Sequence, residues 1–139
     1  MTGSPEPYRV DIPQADLDDL HQEFISRYVA AVGAGDAEAV AALFVEDAEF
    51  YHPLGVARGR AEILAFYLMV LSDGGLSASA GKAFGSGSDL LFEIVLRDGD
   101  PAVGPFAMDH VTLDPDGGAV RMVAMVRPGV PGPAIPTPS

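Results

Sequence analysis

Apolar side chains recur at helical spacing from Asp16 onward. Leu17, Leu20, Phe24, Tyr28, Ala31 and Val32 fall on one face of a helix. Asp16, Asp18 and Asp19 at its start suit the positive end of the helix dipole, and Gly33 and Gly35 predict its end. Asp36 fits the N-cap of a second, shorter helix over 37–44. The period then drops to two. In a strand over 48–52, Ala48, Phe50 and His52 share one side, while Glu49 and Tyr51 share the other. Pro53 ends that strand and Gly55 predicts a turn. A third helix is expected over about 60–71, with Ile63, Phe66, Tyr67 and Val70 on one side and Asp73-Gly74-Gly75 breaking it.

After Gly75 the texture changes to short apolar runs split by turn signals. A weak strand over 76–84 precedes the loop Gly85-Ser86-Gly87-Ser88, and a strong strand over 90–97 precedes the turn Asp98-Gly99. Strands over 105–113 and 119–127 flank a hairpin turn at 114–118, where glycine supplies positive φ. Three helices followed by an antiparallel meander predict an α+β fold, a cone-shaped roll with the helices on one face of a curved sheet. The hollow of such a cone is apolar and suits a small ligand. One domain over 15–127 is expected. It is flanked by an arm over 1–14, which holds Pro5, Pro7 and Pro13, and a proline-rich tail over 128–139.

Composition narrows the partners. The chain has 139 residues, of which 48% are apolar, and a net charge of −12, so it can bury a real core but would be repelled by nucleic acid and by anionic membranes. Without cysteine there is neither a disulfide nor thiol chemistry. The opening residues MTGSPEPYRV lack a basic start and an apolar core, so no signal peptide is expected, and no apolar run approaches the roughly 20 residues that span a bilayer. A cytoplasmic protein with a hydrophobic small-molecule partner is the expectation.

Two stretches place ionisable side chains in apolar surroundings: DAEFYHPLG at 47–55 and AMDH at 107–110. Asp109 alternates with Ala107 and Val111, so it is either a neutral acid in a pocket or a sheet-edge carboxylate in water. His52 shares a side with Ala48 and Phe50. It is either a buried imidazole bonded to backbone or a neutral base. Tyr28 lies on the apolar face of the first helix, where its hydroxyl needs a partner. Glu93, within LLFEIVL, faces either the solvent side of the sheet or the cone, where it would be an alternative acid or base. Glu49 and His110 are expected to face away. The spacing of His52, Glu93 and Asp109 matches no metal motif, and there is no phosphate loop or nucleophile elbow, so neither a metal nor another cofactor is expected.

The segments RYVAAVGAGDAEAVAALFVEDAEFYHPLG, RGRAEILAFY and AMDHVTLDPDGGAVRMVAM resemble the steroid delta-isomerases of the nuclear transport factor 2-like (cystatin-like) superfamily, which also holds the SnoaL-like polyketide cyclases. The likeness runs from about Phe24 to Met125 and is closest outside 73–104. It implies a homodimer built from the same roll. Carried over, Tyr28 matches a hydrogen-bond-donating tyrosine, Tyr67 the tyrosine that supports it, and Asp109 an acid kept neutral by an apolar site, as in ketosteroid isomerase itself. The family's aspartate before a proline is His52 here, which makes His52 the expected base. The resemblance implies a cofactor-independent isomerase or cyclase acting on a hydrophobic, oxygen-bearing molecule of polyketide type. Steroid isomerisation, epoxide opening of the polyether type and non-catalytic binding are the alternatives. Phe50, Leu54, Phe66, Tyr67, Met108 and Val111 are the expected substrate contacts.

Overall fold

The computed structural model describes residues 17–96 and 104–127. Helix α1 (Asp19–Ala34) starts at Asp18, whose carboxylate accepts from the His21 N–H while the Asp18 N–H donates to His21 Nδ1. With Nδ1 accepting, the ring proton sits on Nε2, which donates to the Gly87 carbonyl 2.8 Å away. His21 is thus a buried tie between the first turn of α1 and a hairpin far along the chain. The expected apolar stripe is present at Phe24, Tyr28, Ala31 and Val32, but its first position belongs to His21, and Leu20 is exposed.

The remaining elements are α2 (Ala37–Ala41), β1 (Phe44–His52), β2 (Gly55–Arg58), α3 (Arg60–Val70), β3 (Ala78–Ser86), β4 (Asp89–Leu96), β5 (Ala107–Leu113) and β6 (Ala119–Val126). The strands form one sheet in the order β2-β1-β6-β5-β4-β3. This is the α+β roll expected from the sequence, with three helices preceding a meander from β3 to β6.

Three details differ. Helix α2 is shorter than expected, because Phe44 opens β1 and is buried against the sheet. The short strand β2 pairs antiparallel with β1 through His52↔Gly55, so the expected turn at Gly55 is the start of a strand. Strand β1 lies parallel to β6 through Phe50↔Met122, while every other pair is antiparallel. The chain passes through β2, α3 and the whole meander before returning beside β1, and that long crossover is what a parallel pair requires. The arm over 1–14, the turn Asp98-Gly99 and the tail over 128–139 lie outside the described residues.

Register sorts the two sheet faces. Phe92, Asp109 and Ala124 are neighbours across β4, β5 and β6 on the face that meets the helices, and Glu93, Met108 and Met125 are neighbours on the other. Along β5 the alternation is regular: Ala107, Asp109, Val111 and Leu113 are buried and the residues between them half-exposed. Aromatic rings join helices to sheet, with Tyr28 edge-on to Phe92 and Tyr67 stacked on Phe50 at 5.5 Å. Where α1 ends, Gly75 comes so close that a Cβ there would stand 1.9 Å from the Gly33 carbonyl oxygen. That approach lets the Leu76 N–H donate to the Val32 carbonyl and sets Leu76 over the interior.

His21→Ala removes a buried ring and its hydrogen bonds to Asp18 and Gly87. The variant should lose about 2–4 kcal/mol of stability, read as a lower urea midpoint at unchanged slope.

Candidate active site

Helices α1 and α3 and five strands, β1 and β3 to β6, line a cavity of about 80 Å³. By volume it accommodates on the order of half a dozen water-sized groups. Drug-sized ligands occupy pockets of roughly 300–1,000 Å³, so a larger ligand would seat one end here and leave the rest outside. Apart from three side chains the lining is apolar. Those three are Tyr28 from α1, Tyr67 from α3 and Asp109 from β5.

Each is brought in by local sequence. Tyr28 and Val32 are four apart on α1 and both line the cavity, as do Phe66, Tyr67, Val70 and Leu71 on α3. Asp109 and Ala107 are two apart on β5, and Ala124 and Val126 reach in from β6 by the same alternation. The Tyr28 and Tyr67 hydroxyls are hydrogen-bonded at 2.7 Å. Burial, together with the facing hydroxyl and the Asp109 carboxyl, holds the Tyr28 pKa well above that of an ordinary phenol. Tyr67 is raised as well, first by burial and then by Asp109, so both remain donors at neutral pH.

Asp109 is 2% exposed. Burial in this apolar box pushes its carboxyl up to about 7, while a hydrogen bond from Tyr28 holds part of the rise back. Its Oδ2 has no hydrogen-bond partner among the described residues. Such an orphaned carboxyl oxygen is costly in a folded chain and is a common mark of a working site.

The other expected site residues are placed differently. His52 does not line the cavity; its ring packs over Phe66 at 4.1 Å and Phe50 at 5.3 Å, next to the exposed lining residue Pro53. Its Nδ1 accepts from the Leu54 N–H at 3.1 Å, and burial lowers its pKa. The neutral ring then carries its proton on Nε2. Glu93 is 4% exposed but lies on the far face of the sheet. A bulge between Ala80 and Ala83 makes room for it: Oε1 accepts from the Lys82 N–H at 2.8 Å, and a Cβ on Gly81 would meet that oxygen at 2.6 Å. The cone-facing reading of Glu93 is therefore corrected, because β4 alternation turns Phe92 and Ile94 inward instead.

Among the expected substrate contacts, Phe50, Phe66 and Tyr67 line the cavity. Leu54, Met108 and Val111 do not. Leu54 follows the lining residue Pro53 in the tight turn between β1 and β2, Met108 is on the outer face, and Val111 is sealed in the core below the cavity. Val29, Val32, Val70, Leu71, Leu76 and Phe106 line it unforeseen; spacing from Tyr28 and Tyr67 would have found the helical ones. Glu49 pairs with Arg58 and His110 with Asp89, both away from the cavity.

A curved sheet roofed by helices around a polar-tipped apolar cavity is the α+β roll expected from the sequence. The chain belongs to the SnoaL-like domain family, whose model matches residues 25–127. It is 33% identical over 109 residues to a steroid delta-isomerase of Nocardioides simplex, covering 76% of this chain and 88% of that one. In fold it is similar to the epoxide hydrolase/cyclase-like enzyme SalBIII of salinomycin pyran-ring formation, with a TM-score of 0.65, 18% identity, and 82% of this chain and 95% of that one covered. It is also similar to a proposed polyketide cyclase from Sinorhizobium meliloti, with a TM-score of 0.61, 20% identity and coverage of 82% and 100%. None of the described helices is long and apolar enough to cross a membrane.

The raised pKa of Asp109 carries a stability consequence. Below about pH 4 the carboxyl is protonated whether the chain is folded or unfolded. As pH rises towards 7 the unfolded chain releases this proton and the folded chain keeps it, so this contribution to stability is lost across that window. Asp109→Asn removes the effect. Between pH 4 and pH 8 the variant's stability relative to wild type should improve by up to roughly 4 kcal/mol, as measured by urea unfolding at both pH values.

Proposed function

We propose that the chain is a cofactor-independent isomerase or cyclase that acts on a hydrophobic small molecule bearing a carbonyl, enolisable or epoxide oxygen. One observation carries this reading: a hydrogen-bonded tyrosine pair and a buried carboxyl with a free oxygen share the polar end of an otherwise apolar cavity. The substrate oxygen sits among Tyr28, Tyr67 and Asp109, and the apolar wall takes the carbon skeleton. Donors fixed in a dry pocket stabilise developing negative charge far better than water does, because they need no reorganisation during the reaction.

The substrate remains within this proposal as a polyketide-type natural product. A specific observation also favours the steroid reading: outside the Tyr28, Tyr67 and Asp109 cluster the described lining is apolar, which suits a skeleton with one oxygen at its leading end. A polyoxygenated chain would leave hydroxyls unpaired there. Epoxide opening uses the same oxygen-holding cluster. A purely ligand-binding role predicts occupancy without turnover. The homodimer implied by the resemblance belongs to this proposal too, with Phe84 and Met125, exposed on the outer face of the sheet, as surface for it to cover.

Tyr28→Phe and Asp109→Leu should each slow turnover about 100-fold or more while leaving the far-ultraviolet circular dichroism spectrum unchanged. Normal rates in both folded variants would end the oxygen-holding assignment. Sedimentation equilibrium should return twice the chain mass, and Met125→Glu should return the monomer.

A further inference from the structure

Resting on the proposed function, we infer that Leu76 is the specificity-determining residue of the cavity. It limits the part of the substrate that enters to a single six-membered ring, and it shuts the cavity off from a second space beside it. That space is an open groove of about 580 Å³ between α1 and the start of β3.

Cavity and groove lie on two sides of one thin wall. Val29 on α1 and Ala78 at the start of β3 line both. Along α1, Tyr28 and Val32 line the cavity, while Ser26, Ala30 and Gly33 line the groove. In the connection that leads into β3 the side changes from one residue to the next. Gly75 and Ser77 line the groove, and Leu76 between them lines the cavity. Flanked by glycine and serine, Leu76 is the one large side chain of this part of the wall.

Backbone packing holds Leu76 in that place. Its N–H donates to the Val32 carbonyl at 3.0 Å. Gly75 meets the end of α1 so closely that a Cβ on it would stand 1.9 Å from the Gly33 carbonyl oxygen, and one on Gly35 would stand 2.9 Å from the Gly75 nitrogen. The Gly74 N–H donates to the carbonyl of Leu71, another lining residue. The connection is thus fastened to α1 and α3 on either side of the leucine, and the side chain cannot swing out without breaking that fit.

The size limit follows from volume. With room for about half a dozen water-sized groups, the cavity holds one cyclic ketone whose oxygen is at Tyr28 and Asp109. A second, fused ring has two directions open to it. One leads past Pro53, the exposed residue among the described lining, and leaves the ring in water. The other leads through Leu76. Shortening that side chain joins the cavity to the groove, where the described lining carries no charged group and offers the Ser26 and Ser77 hydroxyls. The enlarged site therefore takes an uncharged fused ring.

The test is calorimetric binding of cyclohexanone and 2-decalone, ketones of one and two saturated rings, and needs no turnover. For the wild-type chain the two affinities should agree within about threefold, because the second ring stays in water. Leu76→Ala should favour 2-decalone about tenfold or more, as that ring becomes buried. Leu76→Phe should weaken cyclohexanone about tenfold or more by filling its space. Leu68→Ala, at an exposed position of α3 outside the lining, should change neither. Tenfold tighter binding of 2-decalone by the wild-type chain, or an unchanged ratio in Leu76→Ala, would overturn the inference. Binding in the expected ratio without turnover of any enolisable ketone would end the proposed function and leave the size limit standing. A wild-type chain that binds neither ketone would end both.

Discussion

The structure depends on a carboxyl held where water cannot reach it. Asp109 sits mid-strand on β5, its oxygens enclosed by aromatic and aliphatic groups, with one polar neighbour interacting closely and one oxygen left without a partner. Burying a polar group without a hydrogen bond costs on the order of 1–3 kcal/mol or more. The surrounding aromatic packing offsets that cost. Phe92 and Tyr28 meet at 5.9 Å and Tyr28 and Tyr67 at 6.2 Å, so the two phenols are fixed as rigid walls before any ligand arrives.

Sheet register does the rest of the positioning. Because Phe92, Asp109 and Ala124 lie abreast, the carboxyl projects towards α1 and α3. The same register sends Glu93, the residue after Phe92, to the opposite face. The molecule therefore buries two carboxylates back to back. Glu93 has the Lys82 N–H and a bulge shaped by Gly81, features of a structural role, whereas Asp109 has an open cavity before it. The parallel return of β6 beside β1 brings Ala124 and Val126 to the same hollow as Phe50, which a sheet ending at β6 would not achieve.

The chain belongs to the SnoaL-like domain family and is similar to a steroid delta-isomerase. The distinguishing residue is His52, where the resemblance expects an aspartate. The β1–β2 turn turns its Nδ1 onto the Leu54 N–H and its ring onto Phe66. A flexible carboxylate at that position could reach inward, while a ring held by stacking and by a backbone bond is confined to the edge.

Much was legible in the sequence alone. The 3.6-residue stripe through Phe24, Tyr28 and Val32, the period-two run Ala107–Asp109–Val111 and the turn at 114–118 follow from local periodicity and glycine chemistry, and they are where the sequence put them. The α+β class follows from the order of those patterns. Periodicity tells which side chains share a face of one element; it does not tell which faces meet. The bond between Tyr28 and Tyr67 spans 39 positions, the His21 tie to Gly87 spans 66, and the side on which Glu93 falls is fixed by the pairing of Phe92 with Asp109 across β4 and β5. Local sequence thus determined most elements and their buried sides, β2 and the facing of Glu93 excepted. Tertiary packing decided which polar groups converge, because convergence depends on strand register and helix seating, and those are set by contacts between residues far apart in the chain.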